Sequence, residues 1–123
     1  MTRNKQIGDF GEEFAAAYLT EQNYTILERN YRTPYGELDI IAREGETVVF
    51  VEVKSALHSG SGRPARRIDQ HKRELIRRAA TLWLRRLERP VPARLDVVEV
   101  LLPPGRKPEV THIQSAFPLR PGR

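Results

Sequence analysis

GELDIIAREGETVVFVEVKS, residues 36–55, is the stretch on which the reading of the fold turns. Ile40, Ile41, Val48, Val49, Phe50, Val51 and Val53 are strand-forming residues. Between the two apolar runs, Gly45-Glu46 has the glycine-first pattern of a two-residue type II′ hairpin loop. That loop sets Ile41 opposite Phe50, Ile40 opposite Val51, Asp39 opposite Glu52, Leu38 opposite Val53 and Glu37 opposite Lys54. One face of the hairpin then carries Leu38, Ile40, Ala42, Val49, Val51 and Val53 and is apolar throughout. The other is apolar near the turn and changes at the open end to Asp39, Glu52, Glu37 and Lys54. A slip of one residue would set Asp39 against Val51 and mix the faces, so the patterning selects this register.

The charges at the open end are either the solvated, salt-bridged rim of an exposed hairpin or a site. Directly opposed residues have Cβ atoms about 4.5–5.5 Å apart. Two carboxylates at about 5 Å repel by roughly 3 kcal/mol at an effective dielectric near 20, so folding alone disfavours the Asp39–Glu52 pair. A divalent cation between them reverses the local field, and oxygen ligands of this kind suit Mg²⁺ or Mn²⁺. Lys54, two residues beyond Glu52, projects from the same face. Two metal-binding carboxylates and one ammonium suit phosphodiester hydrolysis, with Lys54 steadying the attacking water or the developing negative charge.

Outward from the hairpin, Ile7, Phe10, Phe14 and Tyr18 recur at helical spacing, predicting an amphipathic helix from Lys5 to about Gln22 with those residues as its apolar stripe. Residues 24–31 read as a strand, and RTPYG as the turn into the hairpin. After the Gly- and Ser-rich segment SALHSGSGRPAR, the stripe Leu75, Ile76, Ala79, Ala80, Leu82, Trp83 and Leu87 predicts a helix over 68–88, ended by RPVP. Residues 95–102 form an apolar strand, VTHIQSAF an edge strand and PLRPGR a loose tail. The order predicts an α/β protein with a mixed central sheet flanked by helices. Residues 1–102 read as one domain and 103–123 as a C-terminal extension.

The chain has 123 residues, enough for one self-sufficient core, and no cysteine, which fits a reducing compartment. The opening MTRNKQIGDF has no apolar stretch followed by a cleavage site, and no apolar run is long enough to span a membrane, so a cytoplasmic protein is expected. Lys and Arg number 21 against 16 Asp and Glu, a net charge of +5. The excess is concentrated: residues 63–89 hold ten basic side chains and three acidic ones. Such a stripe is either a solvated helix face or the footprint of a phosphate-backbone binder. Arg63, Arg66, Arg67, Lys72, Arg73 and Arg77 are its candidate nucleic-acid contacts, with the loop after Ser55 expected to order over the bound strand.

Asp39, twelve intervening residues and then Glu52-Val53-Lys54 resembles the D…E-x-K signature of the PD-(D/E)xK, or restriction-endonuclease-like, superfamily. More closely, GDFGEEFAAAYL, GELDIIA, VVFVEVK and RLDVVEV in this order are similar to the bacterial YraN-like family of endonuclease-like proteins, itself similar to archaeal Holliday junction resolvases. The match runs from about Gly8 to Val100. The resemblance implies an αβββαβ core and metal-dependent cleavage of DNA, branched or single-stranded. It makes Asp39 and Glu52 the metal ligands, Lys54 the catalytic lysine and Glu12 the acid of the first helix. A homodimer would suit paired cuts in a symmetric four-way junction. Leu38 replaces the Pro of the motif name, and Ala56 stands where relatives often carry Arg. A nucleic-acid-binding module that keeps the fold without cutting is the alternative, and a basic protein-interaction adaptor a third.

Lys72 falls within the apolar stripe of the second helix and reads either as a site-rim cation or as a snorkelling side chain. Tyr31 and Tyr35 either cap the core or stack on an unpaired base. Trp83 is expected in the core and Asp96 as a structural strand residue. His58, His71 and His112 show no metal-ligand spacing.

Overall fold

In a computed structural model of the chain, which describes residues 3–57 and 68–120, two helices pack on opposite faces of one five-stranded sheet. The order is α1 (Arg3–Glu21), β1 (Thr25–Thr33), β2 (Gly36–Glu44), β3 (Thr47–Ala56), α2 (Gln70–Leu84), β4 (Ala93–Leu101) and β5 (Glu109–Phe117). The strands lie in sequence order, antiparallel except for the parallel β3–β4 pair that α2 connects. His58, Arg63, Arg66, Arg67 and most of the Ser55–Arg67 loop lie outside the described residues. Among the described residues no helix is long and apolar enough to cross a membrane.

The β2–β3 hairpin takes the register that its patterning selects, with Glu44 facing Thr47, Ala42 facing Val49 and Ile40 facing Val51. Gly45 has φ +60 and Glu46 is not in the positive-φ region, as a type II′ loop requires. The two faces feed two cores. Leu38, Ile41, Phe50, Leu95 and Val97 pack with Ile76, Ala80 and Trp83 under α2, where Trp83 meets Phe50 edge to face at 5.9 Å. Ile40, Ala42, Val49, Val51, Val98 and Val100 pack with Ala15 and Leu19 under α1.

Three expectations are corrected. Helix α1 buries Gly11, Ala15 and Leu19 rather than the aromatic stripe, leaving Phe14 and Tyr18 partly buried and Phe10 57% exposed. The reason is close approach: a Cβ at Gly11 would overlap Ser55 Oγ and lie 2.8 Å from Ser55 Cβ, so the small residues must face the sheet. Helix α2 is shorter than 68–88. Asp69 caps its start by accepting from the Lys72 amide at 2.8 Å, and beyond Arg85 the chain tightens into i→i−3 bonds before RPVP is reached.

The third correction places the site. The β2–β3 ladder stops at Ile40–Val51, so Asp39 does not pair with Glu52, nor Leu38 with Val53. Leu38 joins the α2 core, whereas Ile40 belongs to the α1 core. Between them the regular alternation breaks at Asp39. On the other side of β2 the β1 pairing passes from Arg29–Ile40 to Tyr31–Leu38, omitting Asn30 and Asp39, and Asn30 has φ +53. An Asn tolerates that left-handed conformation better than most residues.

Candidate active site at a fork in the sheet

Where β2 leaves β3, the Asp39 carboxylate replaces the missing ladder. Its Oδ2 accepts the Val53 N–H at 2.8 Å, the bond a β2 backbone carbonyl would otherwise receive. A residue on an antiparallel strand turns its N–H and C=O toward the same neighbour, so the Val53 carbonyl faces the same fork. Glu52 follows Phe50 on the α2 face of β3 and is itself buried, with 5% of its surface exposed. Its Oε1 is fully enclosed and has no hydrogen-bond partner among the described residues.

The fork lets groups from both faces meet. Burial, with the Asp39 charge beside it, pushes Glu52 up to about 8. Asp39 is also raised by burial, against the opposing pull of the Val53 amide and the Lys54 and Lys72 ammoniums. Glu12 comes in from α1, accepts from Asn30 Nδ2 at 3.1 Å, and is raised to about 7 by burial and by Asp39. Lys72 comes in from the first turn of α2 and acts on both Asp39 and Glu52. A cleft of about 330 Å³ opens beside these groups, lined by Glu12, Val53, Lys54 and Ser55 together with Ile7 and Gly8.

Among the described residues no three ligating side chains stand close enough to form a metal cluster. The donors that fit a cation are the two carboxylates of Asp39 and Glu52 and the Val53 carbonyl. Mg²⁺ is commonly held by one or two carboxylates while keeping several waters and substrate phosphate oxygens, so this sparse, hard donor set fits it. Glu12 is an outer group, tied to Asn30.

The structure thus brings Glu12, Asp39, Glu52, Lys54 and Lys72 together. It does not bring Arg73 or Arg77 to the fork. Arg73 Nε donates to the Ile68 carbonyl at 3.0 Å and its guanidinium sits 5.4 Å from the Phe117 ring. Arg77 Nε donates to the Pro118 carbonyl at 2.8 Å, and its side chain is only 11% exposed. Two participants carried little signal in the sequence: the Val53 backbone, a consequence of the broken ladder, and Asn30, whose only hint is a residue type that tolerates positive φ.

A second polar group lies away from the fork. Asp96, fully buried, accepts from Arg94 Nε at 3.0 Å and from the Ser115 amide at 3.0 Å, and meets His112 Nε2 at 2.7 Å. His112 Nδ1 contacts the Tyr18 hydroxyl at 3.1 Å, and Arg94 reaches Glu44 and Tyr24. These partners hold the Asp96 carboxyl below its ordinary value despite its burial. Saturated with partners, the group cross-links α1, β4 and β5, a structural role for Asp96.

By fold and site this is a small mixed α/β protein that builds a buried acidic pair where two central strands part. The sequence profile of the uncharacterised protein family UPF0102 matches residues 11–100, and the chain belongs to that family. It is 44% identical over 117 residues to the UPF0102 protein of Geotalea uraniireducens, covering 94% of this chain and 92% of that protein. The UPF0102 protein of Nocardia farcinica is 45% identical over 112 residues, covering 90% and 88%. That of Rhodococcus opacus is 42% identical over 118 residues, covering 95% of this chain and all of the relative.

Proposed function

We propose that the protein is a Mg²⁺- or Mn²⁺-dependent DNA endonuclease of the restriction-endonuclease-like superfamily, related to Holliday junction resolvases and working in the cytoplasm on branched or otherwise structured DNA. The observation that carries this reading is the enclosed, unpartnered Glu52 Oε1 beside Asp39, at a point where a lysine and an open cleft are also in reach. An exposed ion-paired hairpin end would leave neither carboxylate buried without its full set of partners.

In this reading Asp39, Glu52 and the Val53 carbonyl hold the cation, which when bound polarises the scissile phosphate and acidifies a water. Asp39 keeps its orientation through the Val53 amide. Lys54 stabilises charge as it grows on the phosphate oxygens, the largest single contribution expected of such a group. Glu12, raised to about 7, exchanges a proton near neutral pH and is placed to take one from the attacking water or return it to the leaving oxygen. Lys72 offsets the summed negative charge of the pair before substrate arrives.

Labelled single-stranded, flap, duplex and four-way-junction DNA incubated with Mn²⁺, Mg²⁺ or EDTA tests the reading. Metal-dependent cutting should be lost in Asp39→Asn, and in Lys54→Ala should fall by about a hundredfold or more while binding persists. Intact DNA under every condition, with binding retained, would leave the non-cutting module as the better reading. Cutting that survives Asp39→Asn would place the site elsewhere.

A further inference from the structure

The strongest feature outside the fork is a groove on the outer side of α2. Arg77 clamps the Pro118 carbonyl, and the chain that follows, Pro118–Arg120, runs beside the helix. Two clefts of about 590 and 310 Å³ result. They share Thr81, Arg85, Leu119 and Arg120 and so adjoin one another along the helix. Leu84, Leu87 and Val91 line one cleft, Leu82 the other, and Leu119 both, so each has an apolar part.

The lining is basic on balance. Arg78, Arg85, Arg89 and Arg120 line it with Glu74 and Glu88, and Glu74 is already engaged by Arg77 and Arg78 along the helix. Arg85, Arg89 and Arg120 are exposed and have no ion pair among the described residues. At one end stands Tyr35, 39% exposed, with the Arg78 guanidinium 5.7 Å from its ring. Tyr35 lies in the β1–β2 turn, four residues before Asp39, a separation of about 13 Å at the rise of an extended strand.

We infer that this groove binds a single-stranded polynucleotide and leads it past Tyr35 to the fork. Charge selects a polyanion. The apolar lining and the aromatic ring at the exit select one whose bases are unstacked, because a duplex offers phosphates alone to such a surface. The inference rests on the nuclease reading for the strand's destination and narrows its substrate: the preferred DNA carries a single-stranded arm next to the cut. It also gives Arg85, Arg89 and Arg120 a role that Arg73 and Arg77, held by Ile68, Phe117 and Pro118, do not share.

The test is fluorescence anisotropy in EDTA with a labelled oligo-thymidylate about twelve nucleotides long, within the usual span of such sites. The wild-type protein should bind it with an affinity that falls steeply as salt rises. Tyr35→Ala should weaken binding between about five- and a hundredfold, the range of base–aromatic stacking. The double variant Arg85→Ala, Arg120→Ala should lose about tenfold or more and a good part of the salt dependence. Both arginines are exposed, so unchanged circular dichroism and melting confirm that folding is not what is lost. An oligo-uridylate bound equally or more tightly also supports the groove and identifies RNA as its strand. The inference is overturned if blunt duplex of the same length competes as well as the strand. Groove variants that bind like wild type, or capture of a polyglutamate peptide while the strand is ignored, overturn it too. If the wild-type protein binds the strand through these residues while no metal condition yields cutting, the nuclease reading fails and the groove stands.

Discussion

Glu52→Gln should make the metal-free protein more stable at neutral and alkaline pH, although it alters a fully enclosed residue. Burial, and after it the Asp39 charge, push folded Glu52 up to about 8 from an ordinary value of 4.5. Between those values the folded chain holds the proton more often than the unfolded chain, so wild-type stability falls as pH rises. Integrated over that interval, the loss reaches about 4 kcal/mol at pH 8 and is below about 0.5 kcal/mol at pH 4.5. Gln removes the titration while keeping the size. Urea unfolding of both proteins in EDTA at several pH values should therefore show a stability difference that grows by about 4 kcal/mol toward the variant between pH 4.5 and pH 8. The pH-dependent part is the diagnostic quantity, because any packing difference between Glu and Gln is present at both ends. Saturating Mg²⁺ should stabilise wild type through ligand linkage and leave Glu52→Gln unmoved. A difference that stays flat with pH would show that the carboxylate is already compensated, and the case for a cation there would collapse with it.

Three further outcomes follow from the packing. Gly11→Ala should cost about 1–3 kcal/mol of stability on thermal or urea unfolding, through contact with Ser55, and Gly11→Ala combined with Ser55→Gly should recover most of it. Removing the buried Asp96 by Asp96→Ala should cost about 3–5 kcal/mol by urea unfolding, since Arg94 loses its carboxylate partner and His112 its contact, while metal-dependent cutting below the new unfolding midpoint persists. Asp69→Ala removes the cap of α2 and should cost about 1 kcal/mol, with faster amide exchange confined to the first turn that carries Lys72.

The hairpin was legible because two independent signals agreed. A glycine-first loop fixed the register, and alternation on both strands admitted no neighbouring one. The strand and helix order followed from ordinary periodicity. The misreadings share a cause: periodicity ranks residues by how apolar they are, not by how closely they let elements approach. In α1 that favoured Phe10 over Gly11, although Gly11 and Ala15 are what the sheet admits. In α2 it carried the helix on to Leu87, an apolar residue that sits in a tightened turn. The Asp96–His112 contact was invisible because it depends on β4–β5 pairing, which is irregular between Leu95 and Val97.

The acidic site shows a different case: Asp39 and Glu52 do come near each other, but not through the ladder pairing that the patterning predicted. Regular pleating would set Asp39 and Glu52 side by side across a ladder. Instead the ladder ends, Asp39 turns in to hold the Val53 amide, and Leu38 changes face. The repulsion anticipated across the pair persists in another form, as burial and the Asp39 charge acting on Glu52. A chain shaped by folding alone has simple ways to relieve it: a neutral residue at 52, or a donor aimed at Oε1. It has neither, while at Asp96 the same fold surrounds a buried carboxylate with an arginine, a histidine and a backbone amide. Glu52 and Asp96 are the most deeply buried carboxylates among the described residues, and the contrast between one left short and one saturated with partners is what the proposed ligand at Glu52 would account for.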